Sequence, residues 1–146
     1  LSDRVWGIPE ICYTEYRSVA EHRAMLEEED FRITENLAGI PTAIMGEAGD
    51  GGPVIAILGE YDALPGLSQV AGIAEPKELE PGGHGHGCGH NMLGSAALLA
   101  ATCATMGARP RKGARPRCLW CALVTSRTST SPSHGIQPPS IASTMP

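Results

Sequence analysis

The chain has 146 residues, enough for one modest domain. Hydrophobic residues at 42% permit a core and aromatics at 4% keep it lean, while no apolar run reaches the length of a membrane span. The net charge of −5 hides a division: 16 acids and five basic residues give residues 1–106 a charge of −11, whereas six basic residues and no acid give 107–146 a charge of +6. Five cysteines without a secretory leader argue against a disulfide framework and for a reducing, cytoplasmic compartment. A chain that starts at Leu1 without a leader is expected to be a fragment of a longer protein.

Residues 1–29 are expected to be helical with a break near Pro9, which follows Trp6 and Ile8. Val19, Ala20, Ala24 and Leu26 can form one face, and Glu21, Glu27, Glu28 and Glu29 a solvated one. Phe31–Asn36 and Thr42–Met45 read as short strands, and Gly49–Pro53 as a turn. Val54–Leu58 is continuously apolar and β-rich, as expected of a strand buried on both faces. This order of helix, strands, buried strand and helix points to an α/β domain.

The run Val54–Leu58 leads into Gly59-Glu60-Tyr61-Asp62-Ala63-Leu64-Pro65-Gly66. Sites in open α/β sheets gather at the carboxyl ends of strands, so Glu60 and Asp62 fall where function is expected. A loop rich in glycine, proline and charge, 68–81, precedes Gly82–Asn91, which reads GGHGHGCGHN. Imidazole and thiolate suit a borderline divalent metal, and the glycines allow close backbone approach. A carboxylate such as Asp62 can ligate that metal or orient an imidazole ligand. A helix is expected over 91–106, capped by Asn91 and apolar on nearly every face, so that a larger body should bury it.

Ile57–Gly66 followed by Gly85-His86-Gly87-Cys88-Gly89-His90-Asn91 resembles the M20 metallopeptidase/amidohydrolase family. The similarity covers Leu1 to about Ala104. Within the family, the branch of aminoacylase-like, indole-acetyl-amino-acid and aminobenzoyl-glutamate hydrolases fits best, the last type most closely. The resemblance implies a partial zinc-peptidase-like three-layer α/β catalytic domain over 1–106. It implies Cys88 and His90 as metal ligands, Asp62 as the acid that buttresses the metal site, and two divalent ions, manganese or zinc. It assigns no role to Glu60, His84 or His86. The implied reaction is hydrolysis of the amide of a small N-acyl amino acid or dipeptide-like substrate, without nucleic acid or membrane partners, in enzymes that form homo-oligomers. The family's base lies in a Pro-Ala-Glu-Glu segment and a further ligand in a Trp-His-Pro segment. Neither occurs here, and no glutamate follows Glu80.

Residues 107–146 resemble nothing in the family, and a shifted coding frame explains them. Permitted codons for Gly107–Ala114, read from the third base, spell Cys-Pro-Ala-Glu-Glu-Gly-Gly. The same offset over Thr128–Pro139 spells Asp-Val-Asp-Ile-Ala-Ile-Thr-Trp-His-Pro-Ala-Ser. The tail is therefore expected to be frame-shifted and unstructured, with Cys118-Leu119-Trp120-Cys121, His134 and the Ser/Thr/Pro run 126–133 as accidents of the shift. As written, the chain is expected to bind metal weakly and not to turn over. The alternative is a non-catalytic metal- or nucleic-acid-binding protein that uses the Cys/His loop and the basic tail as they stand.

Overall fold

A computed structural model describes residues 1–49 and 54–107, together with the strand 119–123. The expected turn at 49–53, the pair Cys118/Cys121, the Ser/Thr/Pro run and His134 fall wholly or largely outside the described residues. Chain order is α1 (Ser2–Trp6), α2 (Tyr16–Glu28), β1 (Arg32–Glu35), a 3-10 turn (Leu37–Gly39), β2 (Ile44–Ala48), β3 (Ile55–Gly59), α3 (His90–Gly107) and β4 (Leu119–Leu123).

The break before α2 is built by side-chain chemistry. The Glu10 carboxylate accepts the amides of Arg17 (3.0 Å) and Ser18 (2.8 Å) and the Ser18 hydroxyl (2.9 Å). It thereby satisfies the orphan donors of the helix start and sits at the positive end of the dipole. The face of α2 differs from the sequence expectation. Ser18, His22 and Leu26 are buried, Val19 is half-buried, and Ala20 and Ala24 are exposed. Spacing of i, i+4, i+8 selects that stripe, and its polar members are tolerated because each is bonded. His22 donates its Nδ1 proton to the Ser18 carbonyl at 2.8 Å.

One four-stranded sheet has the order β1-β2-β4-β3. β1 and β2 are antiparallel, with Arg32 opposite Glu47 and Glu35 opposite Ile44. β4 is antiparallel to β2 and parallel to β3, with Ile55 opposite Leu119 and Gly59 opposite Leu123. β3, α3 and β4 thus make a βαβ unit. Residues 119–123 depart from the expectation of an unstructured tail. Leu-Trp-Cys-Ala-Leu is apolar enough to occupy the place between β2 and β3.

The core is Val5, Leu26, Phe31, Ile44, Tyr61, Ala97, Leu98 and Ala101. α3 buries the stripe Asn91, Gly94, Ala97, Leu98, Ala101 and Thr102 and leaves Met92, Leu93 and Leu99 exposed. Burial of α3 on every face and of β3 on both faces is therefore not observed. β3 is the edge strand, with Ile55 47% and Leu58 67% exposed. Asn91 does not cap α3: the helix begins at His90, and Asn91 Nδ2 donates instead to Ser2 Oγ at 3.0 Å, tying α1 to α3.

Candidate metal centre

The end of β3 delivers Glu60, Tyr61 and Asp62 to the start of α3. Tyr61 anchors this segment. It is fully buried, donates its hydroxyl to the Thr42 carbonyl, and packs on His22 with ring centroids 4.7 Å apart. Burial raises the phenol's pKa and, with the charges of Glu15 and Asp62, keeps it a donor. Burial also lowers His22 to about 4, against the pull of the Ser18 carbonyl. Alternation along the extended segment then points Glu60 and Asp62 away from Tyr61, toward α3.

The opposing wall is the glycine-rich loop. Gly85 exchanges backbone bonds with Leu64 (2.9 and 3.0 Å), and a Cβ there would lie 1.9 Å from the Leu67 carbonyl oxygen. Only glycine fits that approach. Gly89 has φ +74° and accepts the amides of Met92 and Leu93, opening α3 so that His90 stands in its first turn.

His90 and Asp62 meet here. The imidazole Nδ1–H donates to Asp62 Oδ1 at 2.8 Å, and Nε2 lies 3.2 Å from Glu60 Oε2. Asp62 is 2% exposed, so its charge acts on His90 with little screening. A donor bond at Nδ1 fixes the tautomer that offers the Nε2 lone pair outward, the arrangement that metal-binding histidines use. Donor atoms of Glu60, Asp62 and His90 all lie within 4.8 Å of one another. These residues fit a divalent ion, with imidazole and carboxylate ligands suited to zinc or manganese.

Cys88, the other expected ligand, is exposed and belongs to neither group of clustered donors among the described residues. His86 is not at the centre. It is buried, donates Nε2–H to the Val5 carbonyl at 3.1 Å, and is held neutral chiefly by burial. His84 and His86 line a cavity of about 130 Å³ with Trp6 and Leu67. Sequence reasoning left Glu60 without a role, and the structure places it on His90. It also missed Glu15 and Cys12, which flank Asp62 from the turn before α2. Glu15 is fully buried and bonded through Oε2 to the Thr42 hydroxyl at 2.8 Å. Burial, with a smaller push from Asp62, raises its pKa against that hydroxyl and nearby backbone amides. A buried acid at a helix start has no periodic signature, and only its neighbours mark it.

An α/β sheet with a carboxylate–histidine pair at a strand's carboxyl end is an arrangement that could hold a metal ion. The fold is similar to that of the YXEP protein of Bacillus subtilis, a dinuclear metal binding peptidase from the M20 family, with a TM-score of 0.65 and 22% identity over 84% of this chain and 33% of that one. No family model matches the chain. It is 50% identical over 101 residues to one p-aminobenzoyl-glutamate hydrolase subunit of Escherichia coli K12 (69% of this chain, 21% of the relative). It is 31% identical over 112 residues to the Xaa-Arg dipeptidase of Mus musculus (69% of this chain, 22% of the relative). The chain resembles M20 amidohydrolases over the matched part. It spans about a fifth of the length of these curated relatives.

Proposed function

We propose that this chain carries part of the catalytic domain, over 1–106, of a metal-dependent hydrolase acting on the amide of N-acyl or aminobenzoyl amino acids, of the aminobenzoyl-glutamate type, and that 107–146 is a frame-shifted tail. The observation that carries the reading is the 50% identity with the p-aminobenzoyl-glutamate hydrolase of Escherichia coli. The Glu60–Asp62–His90 constellation supplies the matching chemistry.

His90 and Cys88 hold metal, and Asp62 orients His90. Glu60 stands where it can complete the set or balance its charge. Two bound ions, manganese or zinc, supply carbonyl polarisation and a water acidic enough to lose its proton near neutrality. The chain's own contribution is to fix the His90 tautomer through the Asp62 bond and to place Glu60 beside Nε2. Removal of the water's proton needs a base, and the Pro-Ala-Glu-Glu segment that supplies it in the family is absent from these 146 residues. The chain as it stands binds metal without turnover. The complete protein takes a small-molecule substrate, forms homo-oligomers and works in the reducing compartment that its thiols suit.

The test is genetic and enzymatic together. The coding DNA, read from the third base beyond α3, should spell the Pro-Ala-Glu-Glu and Trp-His-Pro segments. Protein made in that frame should release aminobenzoate from aminobenzoyl-glutamate when manganese or zinc is added. The 146-residue chain should release none. Turnover by this chain, or stop codons throughout the other frames, would overturn the reading.

A further inference from the structure

Asp62 has a second set of neighbours, on the side facing the turn that precedes α2. Donor atoms of Cys12, Glu15 and Asp62 lie within 4.8 Å of one another. Glu15 is 0% exposed and Asp62 is 2% exposed, whereas Cys12 is half-buried and so gives this group a way in from solvent. Glu15 Oε2 is occupied by the Thr42 hydroxyl, but Oε1 is enclosed and meets no donor at hydrogen-bonding geometry. An enclosed acceptor without a partner is costly, and in a native protein it asks for an ion or a water.

The backbone locks these side chains together. Ile11 forms a parallel bridge with Ala63, and the Ala63 amide donates to the Glu10 carbonyl at 2.7 Å. Two segments some fifty residues apart are thus held in register next to Cys12 and Asp62. The separations suit an ion. Metal–ligand bonds of roughly 2.0–2.3 Å place the donors of one shell roughly 3–4.5 Å apart, so closure needs only small contraction. One thiolate with two carboxylates selects a borderline cation over a hard one.

We propose that Cys12, Glu15 and Asp62 form a further site for a borderline divalent cation of the zinc or cobalt type. The site is separate from the Cys88/His90 centre. Asp62 serves both, as the partner of His90 and as a member of the Cys12/Glu15 group. Three protein ligands leave one position of a tetrahedral shell for water. Its existence does not depend on the hydrolase reading.

Cobalt(II) distinguishes the two once Cys12 is the sole cysteine, because a cysteine ligand adds a thiolate charge-transfer band. The full chain is prepared with Cys12 as its sole cysteine (Cys88→Ser, Cys103→Ser, Cys118→Ser and Cys121→Ser) and titrated with cobalt(II). The site predicts a band saturating at one equivalent. Glu15→Gln in the same background should weaken that binding by at least the ~10–100-fold that loss of an outer-shell partner costs. Equilibrium dialysis of the unmodified chain against zinc keeps the test decisive if the four-serine protein fails to fold. Cys12→Ser and Glu15→Gln should each remove the same single equivalent, while Cys88→Ser removes a different one. No charge-transfer band from a folded Cys12-only chain, or zinc stoichiometry unchanged by both Cys12→Ser and Glu15→Gln, overturns the site. Zinc stoichiometry unchanged by Cys88→Ser would instead count against the hydrolase centre.

Discussion

Gly94→Ala sets two known effects against each other inside α3. Helix propensity alone favours alanine by about 1 kcal/mol. Geometry opposes it. A Cβ at Gly94 would stand 2.6 Å from the Glu60 carbonyl oxygen and 2.7 Å from His22 Nε2. Ordinary contact begins near 3.4 Å, so the helix and the end of β3 must separate by most of an ångström. Neither neighbour yields freely. One is backbone, and the other is a buried ring bonded to Ser18 and stacked on Tyr61. Overpacking of this kind costs roughly 1–3 kcal/mol, and a backbone obstacle places it at the upper end. The net loss is then about 2 kcal/mol, or roughly 8–16 °C in Tm for a domain of this size. Thermal unfolding followed by circular dichroism reads it. Because the obstructing carbonyl belongs to Glu60, the metal-binding donors should also separate, and zinc affinity should fall together with Tm. An alanine variant equal to or more stable than the parent would show that propensity prevails and that α3 does not pack on Glu60 as described.

Three further perturbations test the frame around the centre. Glu10→Ala removes the carboxylate that accepts two amides and a hydroxyl at the start of α2, and chemical denaturation should show a loss of about 1–2 kcal/mol; an unchanged midpoint would mean that water caps the helix equally well. Tyr61→Phe leaves the buried Thr42 carbonyl without its donor, a cost of about 1–2 kcal/mol that the same titration measures, and no loss would rule out that bond. His22 is neutral when folded, with its pKa lowered to about 4 from 6.5. The unfolded chain takes up the proton first as pH falls, so the stability due to neutral His22 is complete above pH 6.5 and is lost on the way down to pH 4. The loss is on the order of 3 kcal/mol, and His22→Leu should flatten that slope if the assignment is correct.

What could be read without coordinates follows from how local each signal is. β3 and α3 were legible because composition and length suffice: five apolar β-rich residues ended by Gly59, and a long alanine- and leucine-rich run after Asn91. Asp62 stood out because sites gather at strand ends in α/β folds, and its place beside the metal ligands was implied by the family resemblance; the bond to His90 is what the structure adds. Other features are not local. That Ser18 and His22, and not Ala20 and Ala24, face the core depends on Glu10 and Tyr61 reaching them from other segments. Glu60 acquires a role only through its 3.2 Å approach to His90, and Glu15 only through Thr42 and Asp62. The exposed apolar flanks of β3 and α3 carry the composition of interior elements in a chain that spans a fifth of its relatives' length.

The strand between β2 and β3 shows how differently fold and chemistry constrain a sequence. A place in a sheet asks for little: extended backbone, apolar side chains and a free ladder on each side, which Leu119–Leu123 supplies although it resembles nothing in the family. A catalytic centre asks for particular atoms. β4 runs parallel to β3 with Leu123 opposite Gly59, so both strands point their carboxyl ends toward the side where Glu60 and Asp62 stand. In α/β enzymes the carboxyl ends of neighbouring parallel strands build one site together. In the sequence no aspartate or glutamate follows Glu80. The sheet accepts the strand Leu-Trp-Cys-Ala-Leu although its sequence carries no carboxylate. On the reading proposed above, this is the physical reason to expect metal binding without hydrolysis from the same 146 residues.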